Sequence, residues 1–552
     1  MGSSLSRVRS VIRLLLDMKA DFEAVEARLK RSPGLPSSPP SSATTEPFWM
    51  VPPAEVADYQ PDNWPVDVDV VIIGSGITGT SVARALLDEH GSRLNILMLE
   101  ARAACSGATG RNGGHVNPPL FHDYISLRKE FGQEVAAQTV RWRLSHLVAL
   151  QRAAEAEHAV EHTQVRNVES VDVYYSQEAL DKAKEGLNAW RQDMPEEARD
   201  VYCVEGEEAR ITFRLGPGAL AVIATPGGAA HPYRLITTIL AGLLERHSER
   251  FHLATHTPCT AIDAPTATSA YYTLHTPRGS VRATHIVHAT NGWTAHLLPG
   301  FRTKIAPVRA LMSAQRPGTG LAAPAKLQTP RDSPHSSQST LAPSPTEPGG
   351  RAHVFWTGSM GYDYLTQLPT PGHELMFGGG FARAAHISMD EIGQMDDGGL
   401  DIGVATHVSG ALPMYFGLQN WGQEGSDGDD EMEKSQWMEG RVKAMWTGII
   451  AISVDGRPWV GRVPTKVSER SEPQASLAPQ IRTSKEETMR TAPPGEWIAA
   501  GYTGEGMTNA WQAGRAVASL LLGKEPDELP LPMRVTERRW REAKLENLLD
   551  RM

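Results

Sequence analysis

Near the start of the chain Val8, Val11, Leu15, Met18, Phe22, Val25 and Leu29 recur at alternating three- and four-residue steps, with Arg9, Lys19, Asp21 and Glu23 among the positions between them. That spacing predicts an amphipathic helix ending before Pro33. A different pattern follows the Pro/Ser-rich stretch 32–42: residues 69–73 are apolar and β-branched, 81–89 are helical in pattern, and 94–99 form a second apolar run. Together they predict a β-α-β unit whose first strand is central in a parallel sheet. Residues 123–158 have helical composition, 171–175 alternate like a strand, and 271–274 with 281–289 flank Pro277, Arg278 and Gly279 as an antiparallel pair. Near the C-terminus, 497–500 read as a strand, 501–507 as a glycine-rich turn and 508–522 as a helix. Helices thus alternate with parallel and antiparallel strands, which implies a nucleotide-binding layer joined to an antiparallel substrate layer.

Composition narrows this picture. The 552 residues carry 54 Lys+Arg against 64 Asp+Glu, a net charge of −10, which lacks the basic footprint a nucleic-acid partner requires. The three cysteines, Cys105, Cys203 and Cys259, lie far apart with no CxxC pair, so neither a disulfide framework nor a metal cluster is written here, and a reducing, cytoplasmic setting is expected. No apolar run approaches the roughly 18 residues that span a bilayer. Two alternatives attach to the N-terminus. Met1, Gly2, Ser3, Ser4, Leu5 and Ser6 fit a myristoylation pattern, giving weak peripheral membrane contact, and Arg7, Arg9 and Arg13 suit a mitochondrial presequence. Asp17, Asp21, Glu23 and Glu26 count against the presequence, and a helix packed on its own protein or on a second copy is the plainer expectation.

The chemistry resides in three glycine-rich segments. Gly74, Gly76 and Gly79 form GxGxxG with Ser75, Ile77 and Thr78, placed after a strand and at the opening of a helix, and Glu100 follows 21 residues after Gly79 at the end of the next strand. Such glycines give the turn, the close approach to a pyrophosphate and the helix–strand packing, while an acid at that spacing accepts a ribose hydroxyl. The second segment, with Ser106, Thr109, Gly110, Arg111, Asn112, Gly113, Gly114 and His115, lets main chain lie against a large planar ring. The third, with Gly504, Gly506, Met507 and Thr508, aims a helix N-terminus at the negative charge of a reduced flavin.

Together with the stretches IVHATNGW at 286–293 and WTGIIAISVDGRPWVG at 446–461, these segments resemble the D-amino acid oxidase/glycine oxidase family of FAD-dependent oxidoreductases, and most the gamma-glutamylputrescine oxidase-like branch. The resemblance runs from about residue 66 to 523. It implies extended, non-covalent FAD, because no cysteine follows Cys259 and Arg111 takes the place of the histidine that tethers flavin in some relatives. Gly292 and Trp293 would end a strand beside the cofactor. It implies amine or amino-acid oxidation by hydride transfer, imine hydrolysis and oxygen as acceptor; His115, expected to project beside the flavin ring, is the candidate catalytic residue, and Tyr362, Tyr364 and Arg383, flanking the strand 374–378, are candidate substrate contacts. The oxygen-activating lysine of sarcosine-oxidase relatives is missing from 374–378, leaving Lys304 as the nearest substitute, and Glu505, unfavourable beside a reduced flavin, is expected to point away. Two rivals stand beside this reading: a hydroxy-acid or polyol dehydrogenase that passes electrons to a quinone, and a non-catalytic flavin-binding scaffold.

The expected architecture is α/β, a discontinuous Rossmann-like FAD-binding domain over 66–121, 221–300 and 441–523 with an antiparallel-sheet substrate domain over 122–220 and 301–440. Residues 1–47 form the helix and linker, 317–351, 424–435 and 464–494 are expected as disordered insertions, and 524–552 form a tail.

Overall fold

The computed structural model describes residues 2–31, 45–266, 271–322, 346–358, 361–424, 437–472 and 491–549. The linker 32–42, the acidic stretch from 425 onward and the centres of the two long insertions lie outside the described residues.

Two sheets organise the chain. In the first, Asp67–Ile73 lies between two parallel neighbours, Ile96–Leu99 and Gly279–His288. The sheet extends outward to Phe251–Ala254 on one side and to Gly495–Ala500 and Trp459–Arg462 on the other. A strand covered on both faces must be apolar almost throughout, which is why Val70, Val71 and Ile72 are fully buried. The helix Ile77–Leu87 returns from the Asp67–Ile73 strand and packs against the C-terminal helix Ala510–Leu521. The expected antiparallel pair forms with Gly279 opposite Thr276.

The second sheet is mostly antiparallel, in the order Val442–Ser453, Ile305–Gln315, Leu375–Gly378, Asp363–Gln367, Arg351–Trp356, Arg166–Tyr174, Ala221–Ala229, His115–Val116. Its membership moves three boundaries expected from sequence, the first at His115–Val116, expected within the FAD-binding stretch 66–121. Ala221–Ala229 pairs along its whole length with Arg166–Tyr174, and Val442–Ser453 pairs with Ile305–Gln315 from Ser453 to Val442. Both strands therefore belong to the substrate-side sheet, and the chain returns to the nucleotide-binding layer at the helix Pro232–Arg246 and again near Trp459. Their apolar runs read like central parallel strands, and only pairing distinguishes them. The helical stretch 123–158 is broken into Tyr124–Phe131 and Gln133–Ala156 by Gly132, whose φ of 85° no helix continues through. The glycine-bearing helix starts at Ile77, earlier than the apolar pattern indicated.

The N-terminal helix, Gly2–Lys30, is present, although the side chains of Val8, Val11, Leu15 and Met18 lie outside the described ones. Its second half packs on the protein itself. Val25 and Leu29 are buried with Leu298, Phe301, Ile305 and Ile392. Arg28 ties the contact down by donating to the carbonyl of Ile392 at 2.9 Å and to that of Met389 at 2.5 Å. Among the described residues no helix is long and apolar enough to cross a membrane.

Removing the buried Leu29 side chain should therefore destabilise the protein by about 2–5 kcal/mol, as expected for Leu→Ala in a packed core. Denaturant unfolding of Leu29→Ala would measure it; an unchanged midpoint would mean that the helix contributes nothing to the folded body.

Candidate functional site: a cavity joining three glycine segments

The three glycine-rich segments, far apart in sequence, line one cavity of about 700 Å³ that opens where the strands of the first sheet end and extends to the second. Gly74, Gly76, Ile77, Thr78 and Glu100 line one part of it, Thr109, Arg111, Asn112 and Gly113 another, and Gly504, Gly506, Met507 and Thr508 a third. Trp293, His115, Tyr362 and Tyr364 also line it.

The nucleotide end is held by backbone geometry. A Cβ on Gly79 would sit 1.9 Å from the Gly74 carbonyl oxygen, so only glycine allows the helix to start against the strand that precedes it. Gly74 itself has φ +109°, and a Cβ there would meet the Ala289 carbonyl oxygen at 2.6 Å. No side chain caps the helix at Gly76; Ile77 N–H donates to Thr109 Oγ1 at 3.1 Å. Glu100 is fixed by the same turn. Its Oε2 accepts from Ser75 N at 3.1 Å and Ser75 Oγ at 2.7 Å, and its Oε1 accepts from Arg102 N at 3.0 Å. Tyr502, in the third segment, shares a 2.7 Å hydrogen bond with Thr78 Oγ1 and so brings the C-terminal turn to the first helix.

Six of the residues expected at the site stand outside the cavity lining: Gly79, Ser106, Gly110, Gly114, Gly292 and Arg383. Four are glycines that admit a close neighbour from behind, Gly79 as above, Gly110 against the Cys105 carbonyl oxygen at 2.7 Å, Gly114 against that of Ala230 at 2.6 Å, and Gly292 against Ile449 Cγ2 at 2.8 Å. Ser106 serves through its carbonyl oxygen, which accepts from Arg102 at 3.1 Å and from Arg111 at 2.9 Å. Arg383 is exposed in a short turn, Phe381–Arg383, and so does not clamp a substrate in this cavity. Arg111 lines the cavity, but its guanidinium is turned into protein, donating to the Thr447 carbonyl oxygen at 2.8 Å and lying 3.4 Å from Asp397. Burial lowers it to about 10. Lys304 is also outside the lining and donates to the Ala543 carbonyl oxygen.

At the substrate end, His115 meets Tyr364 edge to face with ring centroids 5.4 Å apart. Gly113 makes room for both, since a Cβ there would lie 2.9 Å from Tyr364 Cε2 and 3.1 Å from His115 Nδ1. Neither imidazole nitrogen has a well-aligned hydrogen bond to protein, and burial pushes the ring down to about 4 against the opposing influence of the Leu365, His353 and Gly113 backbone, so it is neutral at physiological pH. Burial raises the phenols of Tyr362 and Tyr364, which stay protonated.

Glu505 departs from expectation, because it lines this cavity and a smaller neighbour of about 70 Å³ shared with Asp123 and Arg143. Burial pushes its carboxyl up to about 7, against the opposing influence of Arg143. A carboxyl that is protonated about half the time at neutral pH removes the conflict that placing an anion beside a reduced flavin would create. Among the polar cavity-lining residues that sequence reading missed are Asp172, His122 and Trp356. The available signal was Ser170 and Asp172 two apart in the strand Arg166–Tyr174 and alternating with Val171 and Val173, which places both on one face.

A glycine-opened helix start, glycines pressed against strand ends and an acid at the end of the second strand define a protein that binds a dinucleotide across the carboxyl edge of a parallel sheet. The residues fit FAD in particular: a Cβ on Gly504 or Gly506 would meet no atom within 4 Å, so these glycines leave open a surface on which a flat ring can lie. A family model described as FAD dependent oxidoreductase matches residues 69–520, and the chain belongs to that family, with FAD as its cofactor. Among curated relatives, it is 25% identical over 190 residues to an anaerobic glycerol-3-phosphate dehydrogenase polypeptide of Haemophilus influenzae, covering 34% of this chain and 29% of that protein. It is 40% identical over 90 residues to a flavin-containing amine oxidase of Bos taurus, covering 14% of this chain and 16% of that protein. The chain thus matches less than a third of the length of either relative. Similar solved structures include glycine oxidase from Geobacillus kaustophilus, at TM-score 0.57 and 18% identity over 86% of this chain and 99% of that one. L-proline dehydrogenase from P. horikoshii is similar at TM-score 0.56 and 17% identity over 85% and 97%. L-amino acid deaminase from Proteus vulgaris follows at TM-score 0.54 and 15% identity over 87% and 96%. At these identities the structures establish the fold.

Two outcomes test the site. Gly506→Leu adds a side chain where no atom stands in its way, so the protein should fold with its usual far-UV circular dichroism yet purify colourless; a yellow, stoichiometrically loaded variant would remove this turn from the cofactor site. Glu505→Gln should stabilise the protein more at pH 8 than at pH 5. A carboxyl whose native pKa is raised to about 7 contributes stability at low pH that is lost as pH rises from the ordinary carboxyl range through 7. Equal melting-temperature changes at both pH values would contradict the buried position.

Proposed function

We propose that the chain oxidises an amine or amino acid, the carbon bearing the nitrogen giving a hydride to non-covalently bound FAD and the resulting imine being hydrolysed by water. The observation that carries this reading is the single cavity that runs from the glycine segments to the chamber of His115, Tyr362 and Tyr364. When bound, FAD supplies the two-electron acceptor. The protein's part is orientation, exclusion of water and control of protons. A neutral His115 suits an amine donor, because an imidazolium would repel an ammonium and an imidazole accepts its N–H. Pro118, Phe121 and Trp356 add apolar lining to the chamber. Non-covalent binding is supported by Cys259, which lines the cavity but whose thiol burial pushes up to about 12, leaving it protonated and unreactive. Motif resemblance supports placing the chain in the gamma-glutamylputrescine oxidase-like branch.

Oxygen is the proposed acceptor. The match to the glycerol-3-phosphate dehydrogenase polypeptide favours a second reading, a hydroxy-acid or polyol dehydrogenase delivering electrons to a quinone, and among the described residues no lysine lines the cavity to assist oxygen.

Anaerobic mixing with a panel of amines, amino acids, glycerol phosphates and hydroxy acids, read at the flavin absorbance and followed by oxygen or quinone, separates these readings. Bleaching by an amine and recovery with oxygen is expected, whereas bleaching by the hydroxy compounds alone would establish the second reading and no bleaching would leave a scaffold. His115→Ala should keep its FAD and slow amine-driven bleaching by about 100-fold, the lower range for a positioned acid–base group; an unchanged reductive rate would exclude His115 from the reaction.

A further inference from the structure

The charge lining the substrate end points to a particular kind of amine. Among the described residues, every arginine that lines the cavity is engaged: Arg102 with Asp397 at 2.9 Å, Arg309 with Glu391 at 2.6 Å, and Arg111 with the Thr447 and Ser106 carbonyl oxygens. No lysine lines it, and Arg383 lies outside. A substrate carboxylate would therefore find no uncommitted guanidinium or ammonium group. Carboxyls are available instead. Asp172, its side chain only 7% exposed, lines the chamber on the strand Arg166–Tyr174, receives Trp356 Nε1 at 3.2 Å on Oδ1, and has Oδ2 3.5 Å from His122 Nε2, which makes no hydrogen bond. Around it stand aromatic faces. His122 is stacked between Phe121 at 4.2 Å and Trp356 at 4.9 Å, and Tyr362 lies 4.9 Å from Trp356. A buried carboxylate among aromatic rings is a site for an organic cation.

That cation is not the nitrogen that reacts. Hydride leaves a carbon only when the neighbouring nitrogen has a free lone pair, and a carboxylate partner holds the nitrogen in its protonated form. The reacting nitrogen belongs beside the neutral His115, and the carboxylate beside a second, spectator ammonium.

Resting on the amine-oxidation reading above, we propose that the substrate is a diamine or polyamine without a carboxylate on the reacting carbon, its non-reacting ammonium held by Asp172 inside the ring of His122, Trp356 and Tyr362. The reaction balances as follows. The reacting ammonium loses one proton, the carbon beside it loses hydride to FAD, an iminium forms, and water adds and expels ammonium to leave an aminoaldehyde.

Three probes of one skeleton test this: 1,5-diaminopentane, 1-aminopentane, which lacks the second ammonium, and lysine, which adds a carboxylate. In anaerobic stopped-flow at the flavin absorbance, the diamine should reduce the enzyme at least about tenfold more efficiently than either of the others, the scale of one charge-assisted contact. Asp172→Asn, which keeps the acceptor for Trp356, should erase the advantage over 1-aminopentane by raising the diamine's apparent Kd while its FAD content and melting temperature hold. Lysine reacting best, or a diamine advantage that survives Asp172→Asn, would overturn the inference and leave amine oxidation standing. Bleaching by other amines but by none of these three would also overturn the inference alone; bleaching by no amine at all would remove the reading on which it rests.

Discussion

Asp397 holds the two halves of the site together. Its carboxylate receives Arg102 on both oxygens at 2.9 and 3.0 Å and lies 3.4 Å from Arg111, and its carbonyl oxygen accepts from Thr45 at 2.9 Å and Thr447 at 2.6 Å. Through the two arginines the knot reaches the Ser106 carbonyl oxygen in the second glycine segment, and through Thr447 it reaches the strand Val442–Ser453 of the substrate-side sheet. Two buried guanidinium groups depend on this one carboxylate, and breaking such a cluster by removing a single partner costs about 3–5 kcal/mol. The position of the ring-binding segment relative to the substrate sheet is thus set by charge, while the position of the nucleotide-binding turn is set by contact between Gly74 and Gly79.

Those two kinds of constraint differ in how far they can be read from a sequence. The Gly74 to Gly79 turn and Glu100 were legible because their partners are local: a strand, a turn and a helix whose spacing alone defines the geometry. Convergence of the second and third segments on the same cavity was legible through family resemblance, since no periodicity relates residue 113 to residue 504. Asp397 gave no signal at all, being one acid in a polar turn. Sheet membership of Ala221–Ala229 and Val442–Ser453 was missed for a related reason, because an apolar strand looks the same whichever sheet it joins. The mistaken expectation for Arg383 came from chain proximity to the strand Leu375–Gly378; the chain turns outward at Gly379 and Gly380, both with positive φ, before reaching it.

Along its length the cavity changes chemical character. The glycine end offers N–H donors and little side chain, which suits phosphate and a planar ring, whereas the far end offers aromatic faces, a neutral imidazole and carboxyls, which suits an amine. Glu505 sits where these characters meet, and its raised affinity for a proton lets it be neutral or charged as the surroundings require. The small side cavity with Asp123 and Arg143 gives that carboxyl a polar neighbour away from the ring.

The docking of Phe22, Val25 and Leu29 bears on how the polypeptide could be processed. Proteolytic trimming just beyond Arg31, the kind of maturation an organelle import signal undergoes, would strip the cover from Leu298, Phe301 and Ile392 and release the Arg28 latch on the Met389 and Ile392 carbonyls. The freshly bared patch would adjoin the segment that carries Glu391 and Asp397, so a shortened mature form would lose support for the very salt link that aligns its catalytic halves. The leading helix is thus joined to the folded body through Phe22, Val25, Arg28 and Leu29.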